Sequence, residues 1–289
     1  MIVIETISDL TAQIAEAKSK GLTVGFVPTM GALHQGHLHL VQKAAAAADL
    51  VVVSIFVNPT QFNNPDDLLK YPKTLEADCA LLENHADLVF APATTEMYTR
   101  VESKKWDFGR LTSSLEGHFR PGHFDGVCTI VQKLLTIVQP DWAFFGKKDF
   151  QQLAVIQALV RAEGMPVSIV PCDTIREPDG LAMSSRNMRL NHQQRQDALL
   201  ISRTLHLLHD HKDDCNIEQL LDLGKNAFTP ASGLSLEYMA IVDALTFEPV
   251  EDKAAHPHAV ILIAAFVGDI RLIDNIELKW ADTLAKKTA

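Results

Sequence analysis

The sequence predicts an α/β protein: a doubly wound parallel sheet followed by a smaller α+β domain. Three observations predict it. Short, continuous apolar runs alternate with helix-forming stretches through about the first 175 residues, as expected of strands buried on both faces and joined by crossover helices. Beyond residue 175 the order changes to helices first and then successive β-type runs. The length, 289 residues, exceeds what one small core needs and suits two domains.

Each element has its own reason. "TVGFVP" (23–28) is a continuous apolar run and reads as a buried strand. "HLHLVQKAAAAA" (37–48) is rich in strong helix formers. "LVVVSIFV" (50–57) is a second buried strand, so the start of the chain reads as a βαβ unit. A helix at 74–85 and a strand at 86–92 follow. Residues 124–140 show helical spacing up to Pro140, "DWAFFG" (141–146) is the fourth strand, 149–164 is a helix ending at Gly164, and "PVSIVPC" (166–172) is the fifth strand. In the second domain, helices are expected near 191–211 and 216–228, then β-type runs at 234–243, 259–268 and 270–278, with "VGDIRL" as a hairpin turn. Residues 93–121 are rich in loop signals and carry no assignment.

Composition excludes several function classes. A net charge of −10 argues against a non-specific nucleic-acid surface, which needs clustered Lys and Arg. A local basic pocket for one polyphosphate is not excluded. Cys79, Cys128, Cys172 and Cys215 are far apart and form no C-x-x-C pair, so neither a zinc ribbon nor a disulfide framework is expected. The N-terminal stretch has no basic start before an apolar core, and the longest apolar run, near 259–267, is too short to span a bilayer. A cytoplasmic protein with no membrane partner is expected.

"PTMGALHQGHLHLV" (28–41) is the most informative stretch. Gly31 and Gly36 have phosphate-loop spacing, but His37 and Leu38 stand where that loop needs Lys and Ser or Thr. A zinc site would draw on His34, His37 and His39, yet His39 points elsewhere on a helix and no H-E-x-x-H occurs. An isolated H-x-x-H is ordinarily a turn with solvated histidines. The position supports a fourth reading. The motif fills the first strand-to-helix connection, at the carboxyl edge of the sheet, where a helix N-terminus favours anions. His34 and His37 share a face there and can donate to a triphosphate, while Gly36 admits a flat base or sugar.

His34-Gln35-Gly36-His37 in this position resembles the signature of the nucleotidyltransferase superfamily, and implies a Rossmann-like active-site domain. "LAMSSRN" (181–187) resembles the superfamily's second, mobile motif: Ser184, Ser185 and Arg186 supply two hydroxyls and a guanidinium suited to phosphate oxygens, next to the turn "EPDG" (177–180). Together with "SIFVNPTQF" (54–62), "RPGHFDGV" (120–127) and "FFGKKDFQQL" (145–153), these motifs resemble the pantoate–β-alanine ligase family over nearly the whole chain, most strongly from 24 to 187.

The resemblance implies condensation of pantoate with β-alanine using ATP, by way of a pantoyl adenylate, on the path to coenzyme A. It implies a nucleotide- and pantoate-binding domain at 1–175 and a lid domain at 176–289. Met30, Gly31, Ala32, Leu33, His34, Gln35, Gly36 and His37 would form the ATP loop, with His37 as proton donor and His34 beside it. Gly146, Lys147, Lys148 and Asp149 would hold ribose and phosphates, Ile175 adenine, and Met183, Ser184, Ser185 and Arg186 the phosphates from the lid. Gln61 and Gln152 would hold pantoate, with Asn58 and Arg120 as further substrate contacts. His34, His37, Lys148 and Arg186 are the expected catalytic set. Magnesium (Mg2+) would accompany ATP, with Asp78 as a candidate protein ligand, and a homodimer is expected. Lys147 departs from the family's Glu and is expected to face solvent, contributing only its backbone. Asp149 is expected to orient Lys148 or a ribose hydroxyl. His118 and His123 are read as structural, and His206, His209 and His211 as a solvated helix face.

Other functions remain open at this point. An adenylyltransferase with a phosphorylated acceptor would call for Arg or Lys where Gln61 and Gln152 stand. A tRNA-charging enzyme fits an acidic chain poorly, and a non-catalytic nucleotide binder has no need of His34, His37 and Lys148 together.

Overall fold

The computed structural model describes residues 1–280. The chain divides into two compact units, the first Met1–Ile175 and the second beginning at Arg176; the last nine positions of the expected 176–289 domain lie outside the described residues. The first unit holds one six-stranded parallel sheet, in the order β1-β4-β3-β2-β5-β6. Its strands are β1 (Ile2–Ile4), β2 (Val24–Thr29), β3 (Leu50–Ile55), β4 (Leu88–Phe90), β5 (Trp142–Gly146) and β6 (Ser168–Cys172). The longer helices are α1 (Ile7–Ser19), α2 (Gln35–Ala47), α3 (Leu75–Leu82), α4 (His123–Val138) and α5 (Phe150–Ala162). The winding starts at β2, runs outward through β3 and β4, then returns to the other side of β2 for β5 and β6.

Burial on both faces explains the continuous apolar runs. Val27, Val51, Val53, Val89 and Phe144 pack with Val41 and Ala44 of α2 and Leu82 of α3. Their neighbours along the strands, Phe26, Val52 and Phe90, are fully buried on the opposite face. Gly25 lets α2 lie close to the sheet: a Cβ there would stand 3.0 Å from that of Ala48.

Aspartates fasten the amino-terminal edge. Asp49, Asp87 and Asp141 each directly precede a strand and accept a neighbouring backbone amide, from Thr23 at 3.0 Å, Val51 at 2.8 Å and Val24 at 2.7 Å. These bonds fix register between strands that are distant in sequence.

The carboxyl edge is built differently. The β2–β5 ladder pairs Gly25 with Trp142 and Phe26 with Ala143 and extends no further. Val24 turns its backbone N–H and C=O toward the start of β5, so by alternation Phe26 and then Pro28 face the same way. Pro28 has no N–H to continue the ladder. The strands therefore part where the winding changes direction, which is the ligand position of a doubly wound sheet. Pro171 in β6 is tolerated because β6 is an edge strand.

The second unit places α6 (His192–Asp210) and α7 (Ile217–Ala227) on an antiparallel sheet of β7 (Ser235–Asp243), β8 (His258–Val267) and β9 (Ile270–Lys279). Leu199, Leu205, Leu208 and Leu220 of the helices pack against Ile261, Ile263 and Leu272 of the strands. Gly268, at φ 61°, opens the β8–β9 turn.

The expected α/β and α+β classes are both found, and element ends agree within a few residues. Two differences stand out. Strand β1 and helix α1 have no counterpart in the sequence reading: three residues at the sheet edge give no periodic signal, and the buried stripe of α1 is narrow, with only Leu10, Ile14 and Ala17 inside. The unassigned stretch at 93–121 contains three single-turn helices, Thr94–Met97, Arg110–Ser113 and Glu116–Phe119, which are too short for a repeat to register.

Candidate active site

The loop from β2 to α2 is held in an uncommon backbone shape. Gly31 has φ 80° and Ala32 φ 49°, two successive left-handed residues. The Ala32 amide donates to Asp78 Oδ2 at 3.0 Å and the Leu33 amide to Asp78 Oδ1 at 2.7 Å. Thr74 Oγ1 adds a third bond to Oδ1, at 3.2 Å. Asp78 is 2% exposed. Its expected service to magnesium is therefore corrected: both oxygens are taken by the protein. Among the described residues, no group of three His, Cys, Asp or Glu side chains gathers as a metal cage.

Helix α2 begins with a histidine capping pair. His34 Nδ1 accepts from the Gly36 amide at 3.2 Å, and His37 Nδ1 accepts from the His34 amide at 3.3 Å. The His37 and Leu38 amides are taken by the His34 carbonyl. The first-turn donors are thus largely used inside the loop, and the groups left to offer a ligand are the two imidazoles. A neutral ring that accepts at Nδ1 carries its proton at Nε2, so both histidines are Nε2–H donors, with ring centroids 4.1 Å apart. Burial pushes His37 down to about 3, with His34 and Lys148 adding to the effect. Burial also lowers His34 to about 4, Lys148 adding and Asp149 opposing. Each offers a neutral hydrogen bond at pH 7. The expected role of His37 as a donor to phosphate is carried forward with a neutral Nε2–H as the donor.

The end of β5 supplies the facing groups. A Cβ added at Gly146 would meet no atom, so its backbone lies open to a ligand. Lys148 Nζ stands 3.7 Å from Asp149 Oδ1, in keeping with Asp149 orienting the lysine. Lys147 does not simply face water: its Nζ pairs with Asp173 Oδ1 at 2.9 Å, tying the ends of β5 and β6 together.

The turn after β3 presents Gln61. Asn58 is 1% exposed and fully engaged. Its Nδ2 donates to Gln61 Oε1 at 3.2 Å and to the Gly126 carbonyl at 3.1 Å, while its Oδ1 accepts from Tyr98 Oη at 2.8 Å and Thr60 Oγ1 at 3.0 Å. Asn58 therefore does not read as a direct substrate contact. It fixes the orientation of the Gln61 amide, whose nitrogen donates to Met30 Sδ at 3.0 Å. Gln61's backbone is held as well: its carbonyl accepts from His123 Nδ1 at 2.8 Å, and Arg120 Nη1 donates to His123 Nε2 at 3.1 Å while pairing with Glu116 at 3.3 Å. Arg120 and His123 thus support the turn from behind, and His118 is exposed. Gln151 spends its side chain on the Glu116 amide and the Leu111 and Ser114 carbonyls. Gln152, next to it and half-buried, is the glutamine left for a ligand.

Comparison with known proteins gives the family. The family described as Pantoate-beta-alanine ligase matches residues 2–277. The chain belongs to this family. It is 48% identical to the pantothenate synthetase of Bacteroides fragilis (strain YCH46) over 280 residues, 96% of this chain and 99% of that one. The pantothenate synthetase structure from Thermus thermophilus superposes with TM-score 0.90 at 40% identity, covering 96% of this chain and 99% of that chain. The ligase from Francisella tularensis, complexed with beta-gamma ATP and β-alanine, superposes with TM-score 0.80 at 36% identity, covering 96% and 97%.

The remaining ligase motif lies in the second unit. Ile175 is the last residue of the first unit. Met183 and Ser184 lead into a 3₁₀ turn, Ser185–Arg189, capped by Ser184 Oγ accepting from the Arg186 amide at 3.3 Å. Ser185 is buried and Arg186 half-buried. The Asn187 side chain donates to the Ala182 carbonyl at 3.0 Å, and Arg176 pairs with buried Asp274 at 2.6 Å, fixing the turn's approach. His206 and His211 are exposed and His209 half-exposed on and after α6, with no metal set among the described residues.

Sequence reasoning passed over Tyr98, Glu116 and Gly126. For Gly126 a signal existed: a glycine inside a helical pattern marks a close approach. A Cβ there would stand 2.4 Å from the Thr60 carbonyl oxygen and 2.6 Å from the Gln61 amide nitrogen. Gly126→Ala should push the Asn58–Gln61 turn away from α4. The expected result is on the order of a 100-fold loss in kcat/KM for the acid substrate, the usual cost of about 1 Å misplacement, with ATP binding by calorimetry little changed. Equal losses for both ligands would show that the turn is not the part displaced.

A pH effect on stability follows from the histidines. Both have folded values below the ordinary 6.5, so the unfolded chain binds protons first as pH falls. Their contribution is complete above about pH 6.5 and is lost progressively between 6.5 and about 4 to 3. Urea unfolding across that range should show a shallower acid decline for His37→Gln than for the parent. An unchanged slope would contradict the neutral assignment.

Proposed function

We propose that the chain joins pantoate to β-alanine in two steps, the first making pantoyl adenylate with release of pyrophosphate and the second releasing AMP. The observation that carries this reading is the meeting of two kinds of donor at one sheet edge. The Nε2–H pair of His34 and His37 with the Lys148 ammonium suits phosphate oxygens, and the oriented amide of Gln61 suits a small hydroxy acid.

The residues divide the work. Gly146 and the backbone through Asp149 admit the nucleotide, with Ile175 as an adenine contact. Gln61 and Gln152 hold the acid so that its carboxylate meets the α-phosphorus. As attack adds negative charge there, His34, His37 and Lys148 strengthen their bonds to it, which is differential stabilisation of the transition state. Neutral imidazoles suit this role, since they donate without trapping pyrophosphate by charge. Arg186, with Ser184 and Ser185, grips the departing phosphates and shields the adenylate from water until the amine of β-alanine arrives. No nucleophilic side chain is required. Magnesium accompanying ATP would be held through the phosphates and would supply charge screening there, beside the donors of His34, His37 and Lys148. A homodimer and a cytoplasmic setting belong to the same proposal. No helix among the described residues is long and apolar enough to cross a membrane.

The deciding assay follows AMP. Its release from ATP should require pantoate and β-alanine together. Pyrophosphate release that depends on a phosphorylated acceptor and ignores pantoate would instead make the chain a different adenylyltransferase.

Arg186→Ala separates the two steps. Single-turnover kinetics should show adenylate formation slowed on the order of 100-fold, since a charge-assisted clamp on the leaving pyrophosphate is lost. Aminolysis of supplied pantoyl adenylate should change far less, because pyrophosphate has already gone. Equal losses in both steps would show that Arg186 organises the site rather than gripping the leaving group.

A further inference from the structure

We propose that Asp78 is a positioning residue for ATP, acting as an internal carboxylate that sets the shape of the loop bearing the two histidines. The inference rests on the ATP reading of that loop. Successive backbone amides in a tight turn form a concave nest that binds anions. Gly31 and Ala32 make such a bend, and the amides it turns inward, those of Ala32 and Leu33, converge on one carboxylate. The anion in the nest is thus a side chain of the protein, brought in on α3 from 45 and 46 residues along the chain.

The accounting of donors around the loop supports this. Gly31 N donates to Thr29 Oγ1, Ala32 and Leu33 to Asp78, His34 to His37 and Gly36 to His34. A buried carboxylate close to a polyphosphate site would repel its ligand if it faced outward. Here both oxygens turn inward onto two amides and the Thr74 hydroxyl, so the carboxylate is solvated by the protein rather than aimed at the ligand. The packing is also tight: a Cβ at Gly31 would lie 3.0 Å from Asp78 Oδ2 and 3.0 Å from Ile55 Cγ2. A side chain at position 31 would therefore crowd the carboxylate. Ala32, with an unfavourable φ, holds it because its amide is bonded. The bend in turn fixes where α2 starts and where the Nε2–H groups of His34 and His37 point.

The test uses Asp78→Asn and Asp78→Ala. Steady-state assays with both acid and amine saturating should show kcat/KM for ATP lowered on the order of 100-fold, as for a ligand group displaced by about 1 Å, with KM for pantoate within about twofold of the parent. Formate, a small carboxylate able to enter the space left in Asp78→Ala, should restore activity several-fold where chloride at equal ionic strength does not. Rescue by excess magnesium or manganese instead of formate would mean a metal-ligand role and would overturn the proposal, as would a loss confined to pantoate. Should neither variant fold, the parent enzyme decides. Amide exchange at Ala32 and Leu33 should be as slow as in β2 in the ligand-free protein and unaffected by chelator, and exchange as fast as an exposed loop would refute it. The parent's requirement for pantoate and β-alanine is read in the same assays, so failure of the functional reading is distinguishable from failure of this one.

Discussion

Pro28 removes a backbone donor from the side of β2 that faces β5, and the arrangement of the first unit's site follows from that. With the donor present, the ladder that joins Gly25 to Trp142 and Phe26 to Ala143 would have a partner for the next turn of the pleat. Without it, the strands diverge while their amino-terminal ends stay fastened by Asp141 on Val24. One edge of the sheet is tight and the other is split. The loop with His34 and His37 leaves β2 at the split, the Gly146–Asp149 segment leaves β5 on its far bank, and the influence of Lys148 on both histidines reflects that closeness.

The polar groups behind the site are nearly all committed to one another. Asn58 uses both amide hydrogens and its carbonyl within the protein, and the Glu116–Arg120–His123 series ends on the Gln61 backbone. A buried polar network of this kind tolerates little substitution, because removing one member leaves others unpaired in a low dielectric. It also explains why recognition at Gln61 is neutral. An amide whose oxygen is held by a fixed donor, Asn58 Nδ2, keeps its nitrogen as a donor for an oxygen without bringing another charge beside ATP.

Much of the fold was legible because its strands are buried on two faces, so that "TVGFVP", "LVVVSIFV" and "DWAFFG" stand out as unbroken apolar runs. The candidate ligand motifs stood out because glycine, histidine and glutamine at strand ends have few structural uses. What stayed hidden was the partner of each polar group. Asn58 and Gln61 look alike in sequence, and only contacts with Tyr98 and Gly126 assign one to support and the other to ligand. Asp78 resembled a metal ligand because a carboxylate near a triphosphate is usually read that way. Its true neighbours, two amides in a left-handed bend, depend on a backbone angle that no residue pattern displays. The pairing of Lys147 was hidden for the same reason, since Asp173 follows the next strand.

The spacing of the strand contacts along the chain also orders the assembly of the sheet. The Asp49 contact to Thr23 closes 26 residues and the Asp87 contact to Val51 closes 36, whereas Asp141 reaches Val24 across 117. Loop-closure entropy favours the short closures first. β2, β3 and β4 can therefore associate while the chain that carries β5 is still being synthesised. The histidine half of the crevice takes form on that early fragment, and the lysine half docks onto it later. For that interval, the exposed flank of β2 is an unpaired strand edge available to other chains. Of that flank, Pro28 is the position unable to offer a hydrogen.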